Sequence, residues 1–291
     1  MPVRIEPFGS GDSRIVHRDG AEDLLTLPTD LVEGLFRQSG ALLFRGFDVD
    51  PLRMKSFANR FSLRFNRDRL RPPLEGTDGF VQGVNEGMGD AQPHCEQANS
   101  PFRPDAIWFN CTRPAAEGGE TLFWDGVRLW NELPVDLREL FAGRSLRFFQ
   151  RYTRDRWTLF LGPQATVEDV KRTLEGLEGT SYFLNDDDSL YLEYVCPAVV
   201  KTRYGGHDAF ANSLLSERKN TLGALMTFSD GRSIPDDAVH GIETTMKGHT
   251  QAIAWQAGDL VMLDNSRYLH GRNAFTDPGR RIFSCLSFLN F

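Results

Sequence analysis

Two histidines, one carboxylate and one arginine carry the chemistry legible in this sequence. His94-Cys95-Glu96 comes first, and Gly118-Gly119-Glu120-Thr121 follows. Far downstream lie Asp264-Asn265-Ser266-Arg267-Tyr268-Leu269-His270-Gly271-Arg272 and then Arg280-Arg281. On a strand, residues i and i+2 point the same way, so His94 and Glu96 can reach one ion. Two imidazoles and a carboxylate hold a metal by one face and leave three positions open, the arrangement suited to iron(II) oxygenases. His270 is the candidate third ligand. His207, His240 and His249 compete for the role, but His240 and His249 lie in polar, loop-like sequence and His207 follows Gly205-Gly206. Arg281 stands eleven residues after His270. Its guanidinium can pair bidentately with a carboxylate, and Thr121 can add a hydroxyl donor to the same group. A dicarboxylate beside Fe(II) points to 2-oxoglutarate as co-substrate and O2 as oxidant.

The short motif is weak evidence alone. With six histidines and 40 acidic residues, about one His-x-acid match is expected by chance. A second match, His17-Arg18-Asp19, lies in a polar N-terminal segment and reads as solvated surface. Context distinguishes His94: Pro93 precedes it, strand candidates follow it, and Gly118-Gly119 supplies a tight turn into Thr121-Leu122-Phe123.

The elements that must position these groups are mostly strands. Residues 106–111, 121–124, 182–184, 251–255, 258–263 and 281–288 read as strands. In the last, Arg281, Phe283, Cys285 and Ser287 share one face by the two-residue period, and Ile282, Ser284, Leu286 and Phe288 share the other. A charge on the first face suits a lumen that holds an anion. Helices are predicted after Pro28-Thr29-Asp30, closed by Gly40, and after Asp50-Pro51, a cap followed by proline at the first helical position. Others are predicted near residues 134–141 and from Thr166 onward. Many short strands with flanking helices favour a mainly β fold, a double-stranded β-helix (jelly-roll) core with helical additions.

The chain has 291 residues, 40 % apolar and 11 % aromatic with 22 Phe. That composition supports a sizeable core, and a single domain over residues 1–291 is expected. A net charge of -7 argues against a nucleic-acid partner. No apolar run approaches the ~20 residues of a membrane span, and Met1-Pro2-Val3-Arg4-Ile5-Glu6 lacks the apolar stretch of a signal peptide. Cys95, Cys111, Cys196 and Cys285 form no C-x-x-C pair. Reduced thiols in a cytoplasm are the simplest expectation.

Arginines cluster at Arg60, Arg64, Arg67, Arg69 and Arg71, and again at Arg144, Arg147, Arg151, Arg154 and Arg156. Most are expected to be solvated or salt-bridged. The sharper reading is a basic rim for an anionic substrate or an acidic carrier protein. Candidate substrate residues fall around 85–90, 99–102 and 151–157, with Asn99, Arg151 and Arg154 singled out.

At these residues the chain resembles the taurine/2,4-D dioxygenase-like (TauD/TfdA) family from about residue 45 to the end. The resemblance implies His94, Glu96 and His270 as iron ligands, with Thr121 and Arg281 on 2-oxoglutarate. The run Trp255-Gln256-Ala257-Gly258-Asp259, then Asp264-Asn265 and His270-Gly271-Arg272, is specific to such enzymes. Glu96 stands where the taurine enzymes have Asp, and looks like the branch similar to syringomycin-type hydroxylases and clavaminate-type enzymes. The sulfonate-binding arginine expected four residues after Arg281 is replaced by Cys285, which argues against a taurine-type substrate. Halogenating relatives have a small residue in place of the acid, so Glu96 argues against halogenation. The implied activity is hydroxylation of an unactivated carbon of an amino acid, free or carrier-tethered, in natural-product biosynthesis. Desaturation or oxidative cyclisation would need the same residues. A non-catalytic metal-binding jelly roll and a hydrolytic zinc enzyme are the rivals from other classes.

Overall fold

Caps and turns set the first elements. Helix α1 (Thr29–Ser39) ends at Gly40, whose φ of 65° carries its N–H to the Phe36 carbonyl. Glycine enters that left-handed region without a steric penalty. Helix α2 (Pro51–Asn59) is capped by Asp50, whose carboxylate accepts from the Arg53 N–H at 2.7 Å. The later helices are α3 (Gly126–Glu132), α4 (Val135–Phe141), α5 (Arg154–Leu161), α6 (Val167–Leu174), α7 (Leu214–Arg218) and α8 (Asp236–Lys247). Thr166 and Asp169 cap α6 reciprocally. These observations come from a computed structural model that describes residues 3–9, 11–68, 71–84, 87–218 and 225–291. Arg69 and the beginning of the 85–90 substrate segment lie outside the described residues.

The largest sheet runs in the order Val3–Pro7 (β1), Arg14–Arg18 (β2), Ala41–Arg45 (β3), Leu260–Asp264 (β16), Ala106–Arg113 (β7), Arg281–Leu289 (β18) and Ser62–Asn66 (β4). Val81–Gly83 (β5) also pairs with β18. Every pair is antiparallel except β2 with β3. A second, antiparallel sheet has the order Gln251–Ile253 (β15), Thr121–Asp125 (β8), Tyr268–Arg272 (β17) and Ala91–His94 (β6). A third has Thr180–Leu184 (β10), Leu190–Pro197 (β11), Ser145–Tyr152 (β9) and Leu225–Phe228 (β14). Val200–Lys201 (β12) and Asp208–Ala209 (β13) form a short pair.

Side-chain alternation turns these sheets into layers. Leu43, Ile107, Phe109, Val261, Leu263, Ile282 and Leu286 from the largest sheet pack with Phe123, Ile253 and Tyr268 from the second. This is the core between two facing sheets. On the outer side of the largest sheet, Leu42, Phe44, Trp108, Met262 and Cys285 pack with Phe36 of α1 and Met54 and Phe57 of α2. Behind the second sheet, Trp124 and Leu269 meet Leu129, Phe141 and Ile242 of α3, α4 and α8, and Leu146 and Phe148 of the third sheet. Trp157, Val170 and Leu174 cover the third sheet at Leu190 and Leu192. The result is a β-rich fold with helices on its outer faces.

Three features depart from the sequence expectation. In β18 the faces are reversed: Ile282 and Leu286 enter the core between the sheets, while Cys285 and Phe283 pack on the helical side. The apolar surface of α2 takes the alternate set that a lumen was expected to hold. The N-terminal segment is a hairpin, β1 with β2, in which His17 Nε2 lies 3.1 Å from Glu6 Oε2. The arginine-rich stretch from 144 to 152, for which no element was predicted, is largely strand β9 inside the third sheet. Among the described residues no helix is long and apolar enough to cross a membrane, and all four cysteines are unpaired.

Phe57 is fully buried, 5.2 Å from the Phe44 ring and 5.1 Å from that of Phe61. Phe57→Ala should lower unfolding free energy by about 3–5 kcal/mol in urea titration. Leu63, 74 % exposed, should tolerate Ala within about 0.5 kcal/mol. Equal midpoints for the two variants would contradict this packing.

Candidate functional site

The site forms where β6 and β17 meet, with His94 opposite His270. The approach is tight. A Cβ on Gly271 would lie 2.7 Å from the Ala91 carbonyl oxygen and 3.3 Å from the Trp124 ring. Glycine there lets β6 reach the ladder, which shifts register between His270 and Arg272. His270 also pairs with Phe123 of β8 and shares the inner face with Tyr268.

Glu96 reaches the same point by another route. The spacing predicted it on a strand with His94, but β6 ends at His94 and Glu96 lies in the following turn. Asn265 accounts for the difference. Its buried side chain accepts from the Glu96 N–H at 2.8 Å and donates to the Glu96 carbonyl at 2.9 Å and the Pro104 carbonyl at 2.8 Å. The backbone of Glu96 therefore bonds to a side chain, not to a neighbouring strand.

The donor atoms of His94, Glu96 and His270 all lie within 4.8 Å of one another. Ligands about 2.1 Å from one ion sit about 3–4 Å apart, and His270 Nε2 is 3.8 Å from Glu96 Oε2. His94 Nδ1 lies 2.7 Å from the Gln92 carbonyl, so it donates there and leaves Nε2 to a metal. The His270 pKa is held well below the usual imidazole value, first by burial and then by His94 and Arg71 nearby. A neutral imidazole with a free lone pair is the form a metal needs.

Arg281 is the sequence candidate that the structure turns away. It is exposed, and its Nη1 donates to the Pro278 and Arg280 carbonyls at 2.7 and 2.9 Å. Arg280 is the buried neighbour, 1 % exposed, with Nε and Nη2 donating to the Gly119 carbonyl at 3.0 and 2.8 Å. Arg280 is in phase with Ile282 and Leu286, so plain alternation turns it inward and Arg281 outward. Gly119, at φ 71°, makes room: a Cβ there would fall 2.8 Å from Arg280 Nε. The Arg280 pKa is pulled down to about 10, first by burial and then by Arg272. A buried guanidinium keeps its proton, so the same two causes favour an anion beside it.

Thr121 faces inward on β8, next to Phe123 on the same face and paired with Arg272. One two-residue step, about 7 Å, separates this level from His270. Thr121 Oγ1 accepts from Trp255 Nε1 at 3.1 Å, which leaves its own hydrogen to donate. A metal face, a hydroxyl donor and a buried guanidinium thus line the inner surface in sequence. These residues fit Fe(II) and a dicarboxylate.

The substrate candidates fare unevenly. Asn99 sits on the turn that carries Glu96 and donates to Glu217 Oε1 of α7 at 2.8 Å. Arg151 pairs with Asp187 at 3.7 Å and Arg154 with Asp188 at 2.5 Å, both at the surface. Both pairs tie β9 and α5 to the turn between β10 and β11, and neither is bonded to the triad. Cys285 faces α2, whereas Ser284 lies on the inner side near Arg71. Sequence reasoning did not single out Asn265 or Arg280, although both lie in motifs it quoted. It also left Arg71 as one member of a charge run.

Facing sheets that close on an open two-histidine, one-carboxylate face define a non-heme iron oxygenase centre that uses 2-oxoglutarate. The model of the taurine catabolism dioxygenase TauD, TfdA family matches residues 7–286, and the chain belongs to that family. It is an Fe(II)/2-oxoglutarate-dependent dioxygenase. A clavaminate synthase-like protein of Arabidopsis thaliana is 26 % identical over 88 % of this chain and 83 % of its own length. A dapdiamide synthesis protein of Enterobacter agglomerans is 20 % identical over 84 % and 81 %. Pentalenolactone F synthase of Streptomyces arenae is 28 % identical over 69 % and 63 %. The fold is also that of PvcB, described as an Fe, alpha-ketoglutarate-dependent oxygenase from an isonitrile synthetic pathway. That match has a TM-score of 0.63 at 17 % identity, over 99 % of this chain and 92 % of that one.

Removing the Asn265 amide should loosen Glu96 without touching a ligand atom. Asn265→Ala should weaken Fe(II) binding by about 10- to 100-fold, read by anaerobic metal titration. Unchanged affinity in a folded variant would contradict the role given to this contact.

Proposed function

We propose that this enzyme hydroxylates an unactivated carbon of a small amino acid or amino-acid-derived metabolite in natural-product biosynthesis. The observation that carries the reading is the triad, its donor atoms within 4.8 Å of one another; the buried Arg280 stands at the entrance of β18. His94, Glu96 and His270 are the proposed ligands of Fe(II). Arg280, in place of Arg281, and Thr121 are the proposed holders of the distal carboxylate of 2-oxoglutarate. When bound, Fe(II) with 2-oxoglutarate and O2 supplies an oxidant able to take hydrogen from an unactivated carbon while the co-substrate becomes succinate.

The protein's share is orientation and exclusion of water. Asn265 holds the Glu96 turn, Gln92 fixes the His94 tautomer, and Gly119 seats Arg280. The two facing sheets and their shared core support a jelly-roll reading, with residues 1–291 as one domain. Two of the relatives are named for dapdiamide synthesis and pentalenolactone F synthesis, which supports a natural-product substrate. Glu96 in place of Asp supports the syringomycin-type branch. The pairing of Arg151 and Arg154 with Asp187 and Asp188 removes the surface argument for an acidic carrier protein, so a free substrate is favoured. Four unpaired thiols accord with a cytoplasmic location.

Anaerobic titration with Fe(II) and 2-oxoglutarate, followed by visible absorption, tests this reading. Wild type should develop a metal-to-ligand charge-transfer band, and Glu96→Ala should lose it. Arg280→Ala should weaken co-substrate binding by about 100-fold, as for a truncated buried charge pair. Arg281→Ala should stay within about twofold, as for an exposed charge. No band with folded wild-type protein would sink the proposal, and the reverse order of the two arginine variants would restore Arg281.

A further inference from the structure

Among the described members of the first arginine run, Arg71 is the one that reaches the triad. Its Nη2 lies 3.5 Å from Glu96 Oε2, its Nη1 lies 3.5 Å from Ser284 Oγ, and its Nε lies 3.2 Å from Asp68 Oδ2. The guanidinium is about four-fifths covered, with 19 % of its side chain exposed. It is also held from behind. Gln82, 2 % exposed on β5, accepts from the Asp68 N–H at 2.9 Å and donates to the carbonyls of Asp68 and Arg71, the latter at 2.9 Å. One buried amide thus clamps both ends of the segment, and a carboxylate within it orients the guanidinium. Such a built support is what a recognition group needs and a surface charge does not.

We propose that Arg71 binds a carboxylate of the substrate beside the metal. The inference rests on the iron and 2-oxoglutarate site proposed above and narrows its substrate to a carboxylic acid. The argument is electrostatic. Asp68 stays on the Arg71 Nε at 3.2 Å, while the Nη edge, 3.5 Å from Glu96 Oε2, would face a divalent ion held by Glu96. An anion between or beside them relieves the repulsion of the two cations. Arg280 lies at the strand entrance against Gly119, four residues along β18 from Ser284, about 13 Å in an extended strand. The two guanidiniums therefore serve opposite ends of the site: Arg280 takes the distal carboxylate of the co-substrate, and Arg71 takes the acid of the substrate. The planar fork of arginine fixes the direction of that carboxylate and so the carbon that faces the iron.

The test uses the full chain with Fe(II) and 2-oxoglutarate under anaerobic conditions. Acetate, glycine and the common L-amino acids are titrated against the visible band, each beside its carboxamide. At least one acid should perturb the wild-type band while its amide does not. Arg71→Gln should weaken that acid by about 100-fold, and Arg71→Lys should recover part of the loss. Binding of 2-oxoglutarate to Arg71→Gln should remain within about twofold, since Arg280 holds it. The proposal is overturned if no acid perturbs a band that forms normally, if acid and amide act alike, or if Arg71→Gln binds the acid as wild type does. Weaker 2-oxoglutarate in Arg71→Gln would place Arg71 on the co-substrate and overturn it as well. Failure of the band itself in wild type would fall on the iron site first and remove this proposal with it.

Discussion

A single buried amide ties the metal face together. Asn265 bonds the N–H and the carbonyl of Glu96, bonds the Pro104 carbonyl, and places its own N–H on the Asp105 carbonyl. It stands between β16 and β17, five residues before His270. The chain thus brings together two ligands about 175 residues apart in sequence by satisfying polar groups that burial would otherwise leave unpaired. A carboxylate in a turn is free to move; this one is fixed by its backbone. Loss of such a contact leaves several buried groups without partners, which is why one side chain can govern the geometry of an ion it never touches.

Charge is distributed against the average. The chain carries a net charge of -7, yet the site region gathers Arg71, Arg272 and Arg280. Burial and mutual repulsion both lower the Arg280 pKa, and Arg71 and His94 contribute to keeping His270 neutral. Arg71 meets Glu96, while Arg272 and Arg280 bond main-chain carbonyls of the loops around the sheet entrance. Arg60 donates to the Leu25 and Leu27 carbonyls, Arg64 lies over the Phe288 ring, and Arg147 pairs with Glu193. Position in the fold, not membership of a basic run, separates binding groups from scaffold.

Much of the scaffold was legible because its causes are local. Gly40 ends α1, Asp50 and Pro51 begin α2, and Thr166 with Asp169 begins α6. Each acts within one helical turn. The β9 and β11 strands were harder to read, since their alternation is diluted by arginines and tyrosines that pair across the third sheet. The N-terminal hairpin was missed for a similar reason: its polar residues, among them His17 and Glu6, bond to one another.

The candidate ligands were readable from residue type and order alone, since few side chains can hold Fe(II) and the chain offers few histidines; the structure brings their donor atoms within 4.8 Å of one another. The sequence by itself determined the candidate trio, the presence of an arginine after His270 and the family. Which arginine faces inward was decided by tertiary structure. Periodicity defines two faces of β18 but not which one meets α2; once Ile282 and Leu286 turn inward, alternation takes Arg280 in and Arg281 out. The same holds for Glu96, drawn into a turn by a side chain 169 residues away, and for Arg71, held by Gln82 from another strand. Contacts of that range depend on how the sheets stack, and stacking is a property of the whole core.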